Sequence, residues 1–446
     1  MKPGFILLIA FLAILISCSK KATPDLPVKE TIENDTTLVY VISEKPSGIK
    51  EANRLGQWLP SSDFEATGLY LPPKQQIKIH VKNIEGNTQP KLLVGTYSRY
   101  KWQDRPAEYT LKEGINSITD YTGGLLYLRY VTNDVPSGKA ELTFIGGKPV
   151  PVYKLGETTH ANWLNMLDTM SYQDVLLISN RTMVVVSKET ALKYKNMSQN
   201  NMLNTLDRIY DIEDYISGID GSSPLHSKNV HRQLITETAD ESIFMAAAYN
   251  RIMANTRACN RFMDPVEAAT QAWGLWHEMG HMHQMTSWCW NEVDEVTVNI
   301  YSLAAKKGLH AHKIWLEGDS NWDIVLNDYL QSPLENRNYN TSEILTCKGR
   351  LMMFDQLWLA FGDEFYIKVH RLAREDTNMS ASVAARDSRY GQEKMAYFML
   401  IASKASGYNL KDFFTQWGFK LPRYYFDALD SLHLPDPEID LLSIRE

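Results

Sequence analysis

The chain has 446 residues, of which 44% are hydrophobic, and a formal net charge of -7 at pH 7. This length and hydrophobic content allow a large buried core and predict two or three domains. The negative charge and the absence of a basic stripe argue against nucleic acid, or an anionic membrane surface, as a partner recruited by charge.

The first residues have the pattern of an export signal. Lys2 precedes an apolar run of twelve residues, 5–16, which is too short to cross a bilayer as a permanent helix. The run ends in the letters LISC at 15–18, which are similar to the lipobox of bacterial lipoproteins, where the chain is cut before the cysteine and the cysteine is acylated. We therefore predict a signal peptide at 1–18, lipid attachment at Cys18, and an exported, membrane-anchored lipoprotein facing the periplasm or the cell surface. The alternative, a plain secretory signal with an incidental cysteine, also predicts export.

Two segments of different composition follow the signal. Residues 19–35 are rich in Lys, Glu, Thr and Pro without any period, which predicts a flexible tether. Residues 36–147 contain short runs of period two, such as Ile77, Ile79 and Val81 alternating with polar residues, separated by Pro, Gly, Asn and Asp. These runs predict an N-terminal β-sandwich, and the absence of catalytic-looking residues favours support over ligand presentation as its role.

From residue 148 onward both strand and helix periods occur. A strand pair is predicted at 175–178 and 183–186, a largely helical stretch at 188–216, and further helices at 351–361 and 364–374. The segment 241–250 fits either a sheet-edge strand, along which an extended peptide could add main-chain hydrogen bonds, or a buried core segment.

His277, Glu278 and His281 form an H-E-x-x-H motif. On a helix, positions four apart lie one turn above each other on the same face, so the two imidazoles can hold one metal ion. Asp264 as N-cap and Pro265 at the first helical position predict that this helix starts near residue 265. Zinc suits imidazole nitrogen and carboxylate oxygen, and Glu278 would act as general base toward a water at the metal. The alternative is a chance match, but a chance motif would more often lie on an exposed helix than in an apolar stripe such as this one, which begins at 266.

A catalytic zinc site needs a third protein ligand. A second helical pattern, running from about residue 292 to a cap at Gly308, carries Glu292, Glu295 and Asn299 on one face. Spacing alone favours Glu295 as the third ligand and leaves Glu292 as the alternative.

Two further roles are assigned only to groups of candidates. Trp288 and Trp290 lie between the two predicted helices and are predicted to contact substrate, although large aromatic residues are ordinarily core residues. The donor that stabilises the oxyanion of the transition state stays open among Tyr249, Tyr301 and His283.

Several longer runs carry a resemblance. They are HEMGHMHQ at 277–284, EVTVNI at 295–300, TGLYLPP at 67–73, GGLLY at 123–127, and FF at 413–414 with WGF at 417–419. These runs resemble the enhancin-like, mucin-targeting zinc metallopeptidases, in which the motif reads close to H-E-x-G-H-x-x-Q and is followed by a glutamate at the head of an E-V-T-x-N-I segment. The resemblance covers roughly residues 36–430.

The resemblance implies a gluzincin-type site that holds one zinc ion. Its ligands would be His277, His281 and Glu295, with Glu278 as the general base, and it favours Glu295 over Glu292. No other cofactor is implied.

The resemblance also bears on the residues around the ligands and on the fold. Gln284 and Asn299 match the family pattern and are predicted to hydrogen-bond the ligands or position the helices, with a purely structural role as the alternative. The implied fold is α+β and multidomain: the β-sandwich at 36–147 is followed, at 148–446, by a mainly helical zincin-like catalytic domain with a small sheet.

The implied function is that of an exported zinc-dependent endopeptidase. The family includes secreted bacterial and viral proteins that degrade mucins, some of which cut next to an O-glycosylated Ser or Thr, so a glycoprotein or glycopeptide substrate is expected. The alternatives are a non-catalytic glycan-binding lipoprotein on a peptidase-like fold, and a zinc peptidase acting on non-glycosylated or cell-wall peptides. Protonation of the histidine ligands below pH about 6 would release the metal, so activity is expected to fall on the acid side.

Overall fold

The computed structural model of the protein describes residues 37–446 except for 102–104, 312–315 and 317–319. The predicted signal peptide, Cys18 and the tether at 19–35 lie outside the described residues. Within the described ranges, no helix combines the length and the apolar character needed to cross a bilayer.

The N-terminal domain is a β-sandwich, as predicted. In chain order its elements are β1 (Thr37–Ser43), β2 (Lys45–Pro46), α1 (Gly48–Leu55), β3 (Glu65–Leu71), β4 (Gln76–Glu85), β5 (Lys91–Val94), β6 (Ala107–Thr110), β7 (Gly114–Thr119), β8 (Gly124–Arg129), β9 (Val131–Thr132), β10 (Lys139–Ile145) and β11 (Lys148–Pro149). One sheet has the order β1-β10-β4-β7 and the other β11-β3-β8-β5-β6. Apolar side chains of both sheets, including Ile77, Ile79 and Val81, form one core. Because β11 pairs with β3, the sandwich extends to residue 149.

Helix α1 and the residues that follow it carry contacts between the N-terminal domain and the second domain. It ends at Gly56, which has a φ of 69° that a residue with a side chain rarely adopts. Directly after it, the backbone N–H of Trp58 donates to the carbonyl of Gln284 at 2.7 Å, and the N–H of Thr286 donates to the carbonyl of Gly56 at 3.0 Å. The N-terminal domain therefore pairs, backbone to backbone, with the loop that follows the H-E-x-x-H motif.

The second domain contains a six-stranded mixed sheet. Its strands are β12 (Val152–Lys154), β13 (Asp174–Ile178), β14 (Thr182–Ser187), β15 (Gln233–Thr238), β16 (Met245–Ala248) and β17 (Arg251–Asn255). The strand order is β12-β13-β14-β15-β17-β16. The antiparallel pairing of β13 with β14 confirms the predicted strand pair. Since β16 is an edge strand, the edge-strand interpretation of 241–250 is confirmed and the buried-core alternative is wrong.

The rest of the second domain is mainly helical, as predicted. Its helices are α2 (His160–Thr169), α3 (Lys188–Lys193), α4 (Gln199–Ile216), α5 (Asn260–Met263), α6 (Pro265–Thr270), α7 (Trp273–His281), α8 (Asp294–Leu309), α9 (Asn321–Asp323), α10 (Cys347–Phe361), α11 (Asp363–Glu375), α12 (Ala381–Ala384), α13 (Gly391–Ser406), α14 (Lys411–Gln416) and α15 (Arg423–Asp430). One apolar core joins the sheet to α2, α4 and α7, and a second joins α8 to α10, α11 and α13. Helices α7 and α8 are thus anchored in different cores, and the seam between the two cores runs between them.

The predicted helix from 265 to 281 is two helices. Asp264 caps α6 by accepting from the N–H of Val266 at 2.9 Å, as expected, but the helix ends at Thr270 and α7 begins at Trp273. The change of direction lets the indole N–H of Trp276 donate to the carbonyl of Ala268 in the buried core. Val266, expected on the buried face, is 67% exposed as a consequence.

Candidate metal centre

Helices α7 and α8 approach each other closely where the motif lies. A Cβ atom at Gly280 would lie 2.9 Å from the backbone carbonyl oxygen of Val298, a separation that real Cβ atoms do not show. The glycine between Glu278 and His281 therefore permits the two helices to pack with their backbones in contact. As a result of this packing, the first turn of α8 lies opposite the histidines of α7.

The three predicted ligands come together at this contact. Nε2 of His277 lies 3.0 Å and Nε2 of His281 lies 3.7 Å from the same carboxylate oxygen of Glu295. The ligand atoms of the three residues all lie within 4.8 Å of one another. Two imidazole nitrogens with one carboxylate oxygen are the donor set that catalytic zinc sites use, so the residues present fit the metal that the sequence predicts.

Amide side chains orient both imidazoles. Nδ1 of His277 lies 2.9 Å from Oδ1 of Asn299, and Nδ1 of His281 lies 2.6 Å from Oε1 of Gln284. Both amides are themselves held, because Asn299 donates to the Glu295 carbonyl at 2.9 Å and Gln284 donates to Thr297 Oγ1 at 2.9 Å. An amide oxygen that accepts from Nδ1–H leaves Nε2 of the neutral ring with its lone pair toward the metal position.

The electrostatics of the cluster favour a charged carboxylate. Hydrogen bonds with His277 and His281 hold the pKa of Glu295 well below its usual range. Burial alone would lower the pKa of His277, but the hydrogen bonds with Glu295 and Asn299 raise it. The carboxylate is therefore ionised throughout the neutral range, as a metal ligand must be.

Glu278 lies on α7 between the two histidines but does not join the cluster of ligand atoms. Its side chain is 9% exposed, and burial raises its pKa, although the charges of His281 and His277 oppose the increase. The backbone N–H of Ala247, on the edge strand β16, donates to its carboxylate. A carboxylate with a raised pKa beside a metal site is better matched to accept a proton near neutral pH.

An open cleft of about 530 Å³ leads to the ligands. Beside His277, Glu295 and Asn299 it is lined by side chains from α7, from α9 and from the start of α10: Trp273, Asn321, Thr346, Cys347 and Lys348. Sequence reasoning missed the last four of these residues. They lie outside the motif and carry no local signal, and only the tertiary fold brings α9 and α10 to the metal site.

The residue two positions after His281 belongs to a different, buried cluster. Nδ1 of His283 lies 3.0 Å from Glu213 Oε2 and Nε2 lies 3.1 Å from Asp214 Oδ1, both on α4. Burial alone would lower the pKa of His283, but the adjacent carboxylates of Asp214 and Glu213 raise it to about 9. Tyr301 is also buried, and its hydroxyl donates to the carbonyl of His283 at 2.9 Å. Neither His283 nor Tyr301 is free to stabilise an oxyanion in the cleft.

The prediction that Trp288 and Trp290 contact substrate is wrong. Their side chains are 1% and 0% exposed, and both rings pack against Phe398 of α13. The indole N–H of Trp290 donates to Asn340 Oδ1 at 3.0 Å, within the protein. The loop between the ligand-bearing helices is folded into the core, so these rings anchor the loop and offer no surface to a substrate.

Replacing Glu295 with Gln is expected to weaken zinc binding by more than the 10- to 100-fold typical of losing an outer hydrogen-bonding partner, because the site loses its anionic ligand. Glu292→Gln is the matched control, since Glu292 is exposed on the turn at Asn291–Val293 and lies outside the ligand cluster. Competition titration with a chelating dye measures both affinities. Weaker binding in the Glu292 variant alone would reverse the assignment of the third ligand.

The chain matches two family models, in addition to its likeness to individual proteins. Residues 146–418 match the family "Peptidase M60, enhancin and enhancin-like". Residues 49–144 match the family "N-terminal domain of M60-like peptidases". Among curated proteins, TRPM8 channel-associated factor 1 of Bos taurus is 23% identical over 399 residues, which cover 85% of this chain and 40% of that protein. The chain therefore spans less than half the length of that relative.

Solved structures share the fold. A functionally unknown conserved protein, in mutant form, from Bacillus anthracis str. Ames has a TM-score of 0.81 and 27% identity, with 92% of this chain and 81% of that chain covered. The M60 catalytic domain of Clostridium perfringens ZmpC, in complex with the sialyl T antigen, has a TM-score of 0.74 and 21% identity, with 90% and 81% covered. The likeness of both structures extends over the sandwich and the helical domain together.

Proposed function

The chain belongs to the peptidase M60 family of enhancin and enhancin-like proteins, and we propose that it is an exported zinc-dependent endopeptidase that hydrolyses peptide bonds in mucin-type, O-glycosylated glycoproteins. The observation that carries the proposal is the convergence of His277, His281 and Glu295, with Glu278 buried beside them. The glycan bound to the M60 domain of the Clostridium perfringens protein supports glycoprotein as the substrate class. The apolar run at 5–16 and Cys18 support export and a lipid anchor.

The proposed chemistry uses His277, His281 and Glu295 as the zinc ligands. When bound there, zinc supplies a Lewis acid and lowers the pKa of a water toward about 7. Glu278 accepts the proton of the attacking water and passes it to the leaving amine. Asn299 and Gln284 keep the two imidazoles in the orientation that the ligands need.

The edge strand β16 orients the substrate backbone in this proposal. Ala247 pairs with Ile252 of β17, and its N–H contacts Glu278 on the opposite side. An extended peptide that adds to this edge would lie along the strand that contacts the general base. The scissile bond would then be held next to the carboxylate without any change in the strand.

The proposal is tested with chain 19–446 and a mucin-type glycoprotein, with and without a chelator, and with the same glycoprotein after enzymatic deglycosylation. Cleavage that needs zinc and the glycan supports the proposal. Zinc-dependent cleavage of the deglycosylated protein at the same rate would identify a general peptidase instead. Binding of the glycoprotein without cleavage, by a protein that retains zinc, would identify a glycan-binding protein.

The pH dependence of kcat/KM is expected to show an acidic limb above the ordinary carboxyl range near 4.3. Glu278 acts as a base only when it is deprotonated, and burial raises its pKa, so activity is lost as pH falls through this raised value. Initial rates at saturating zinc between pH 4 and pH 8 measure the limb and separate it from loss of metal. A limb at the ordinary carboxyl pKa would contradict a buried base.

A further inference from the structure

The turn between β16 and β17 contains a tyrosine, Tyr249, whose backbone has a positive φ. Ala248 pairs with Arg251, so the hairpin is closed by two residues, Tyr249 and Asn250. Tyr249 has a φ of 55°, at a position where two-residue hairpins normally place Gly, Asn or Asp. A bulky side chain with positive φ is strained, and such strain persists mainly where a residue serves function.

The side chain of Tyr249 is exposed to solvent, yet one neighbouring residue contacts its ring. Tyr249 is 75% exposed. The guanidinium carbon of Arg251 lies 5.7 Å from the centroid of the Tyr249 ring and 5.2 Å from the centroid of Tyr97. Arg251 is itself buried and donates from Nε to Ser98 Oγ at 2.8 Å, so a fixed cation supports the tyrosine ring from the protein side. The ring is placed in advance and keeps free surface toward solvent.

The tyrosine follows closely, along the chain, a residue that contacts the proposed general base. Ala247 donates its N–H to Glu278, and Tyr249 follows it by two residues, which corresponds to a distance along a strand of about 7 Å. Strand β16 also contacts the start of α7, where Met245 Sδ lies 3.6 Å from the position that a Cβ of Gly274 would take. Strand β16 therefore runs along α7 from its first turn to Glu278, and Tyr249 comes directly after the end of the strand.

We propose that Tyr249 is a specificity-determining residue whose exposed ring stacks on the apolar face of a sugar attached to the substrate next to the scissile bond. The inference rests on the proposed function and names its glycan contact. The backbone of β16 offers hydrogen bonds to the backbone of the peptide. The tyrosine ring, just beyond the end of the strand, is then available to contact a sugar attached to a side chain of that peptide. A rigid ring with one free face fits the C–H face of a pyranose.

The test compares Tyr249→Gly, Tyr249→Phe and Tyr121→Gly on one O-glycosylated peptide and on its unglycosylated twin. Tyr121 is the matched control, because it is 81% exposed on the sandwich. Tyr249→Gly is expected to raise KM for the glycopeptide about 2- to 10-fold with little change in kcat, and to leave the unglycosylated peptide unaffected. Tyr249→Phe retains the ring and is expected to behave as the wild type.

Two measurements do not depend on turnover. Tyr249→Gly is expected to leave Tm unchanged or raise it, because glycine accepts a positive φ. In a Glu278→Gln background, the same substitution is expected to weaken glycopeptide affinity by the same factor, measured by calorimetry. Raised Tm with unchanged glycopeptide affinity would overturn the inference.

The remaining outcomes separate this inference from the proposed function. Equal losses on both peptides would overturn the sugar contact while leaving the peptidase proposal intact. A fall in kcat in Tyr249→Phe, with KM unchanged, would assign the hydroxyl to the chemistry and also overturn the contact. If the wild type cleaves the unglycosylated peptide and neither cleaves nor binds the glycopeptide, the proposed substrate class fails, and the inference fails with it.

Discussion

Glu278→Gln is expected to lower kcat for glycopeptide hydrolysis by about 10²- to 10⁴-fold, the range that a positioned general base contributes. The amide has nearly the shape of the carboxylate but cannot accept the proton of the attacking water. Glu278 is not one of the clustered ligand atoms, so zinc affinity is expected to be unchanged. Steady-state kinetics and metal content, measured on the same preparation, check both parts of this expectation.

Glu292→Gln provides the control for this experiment as well, because it removes one negative charge from an exposed position on the turn before α8. Its kcat should equal that of the wild type. A Glu278→Gln variant with full activity would show that another group is the base. A variant without zinc would show that Glu278 helps to hold the metal, contrary to the geometry of the cluster.

His283→Leu is expected to reduce the free energy of unfolding by about 3–5 kcal/mol, the usual cost of removing one partner from a buried ion pair. Burial raises the pKa of Glu213 to about 7 even with His283 present, so without His283 this carboxyl must take up a proton or remain charged in apolar surroundings. Urea unfolding monitored by tryptophan fluorescence measures the loss. The rate of hydrolysis should fall too, because the pair joins α4 to the turn after His281.

His370 is the matched control for a buried histidine without an ionic partner. Burial lowers its pKa to about 3, so it is neutral, and its Nε2 lies 2.9 Å from the hydroxyl of Tyr301. His370→Leu should cost about 0.5–1.5 kcal/mol, the net contribution of one hydrogen bond, because the Tyr301 hydroxyl keeps its bond to the carbonyl of His283. The double variant Glu213→Leu with His283→Leu should recover most of the stability lost in His283→Leu. Equal losses in the two single histidine variants would argue against an ionised pair.

Local signals predicted much of the metal site and of the fold. The ligands follow from spacing, because the four-residue step between His277 and His281 dictates a shared helix face. The sandwich follows from period-two patterns and turn residues, which report on the nearest neighbours along the chain. For 241–250 the sequence left an edge strand and a buried core segment as equal alternatives. Spacing favoured Glu295 as the third ligand and left Glu292 as the alternative, and the resemblance strengthened the preference for Glu295.

Long-range contacts account for what the sequence did not predict. Trp288 and Trp290 lie in a loop, and nothing in the local pattern shows that α13 covers them. The partners of His283 lie on α4, far earlier in the chain, so their ion pair has no sequence signature. The break between α6 and α7 similarly depends on the indole of Trp276 reaching back to a carbonyl in the preceding helix.

Through the backbone pairing of 56–58 with 284–286, the N-terminal domain helps to position the candidate metal centre. Gln284 hydrogen-bonds the imidazole of His281, and its own carbonyl accepts from Trp58. A polypeptide beginning at residue 148 would contain every predicted metal ligand and the proposed base, yet it would lack the segment 56–58 that pairs with the backbone of this glutamine. Shortening the protein to its helical half therefore removes part of the framework that positions the candidate metal centre.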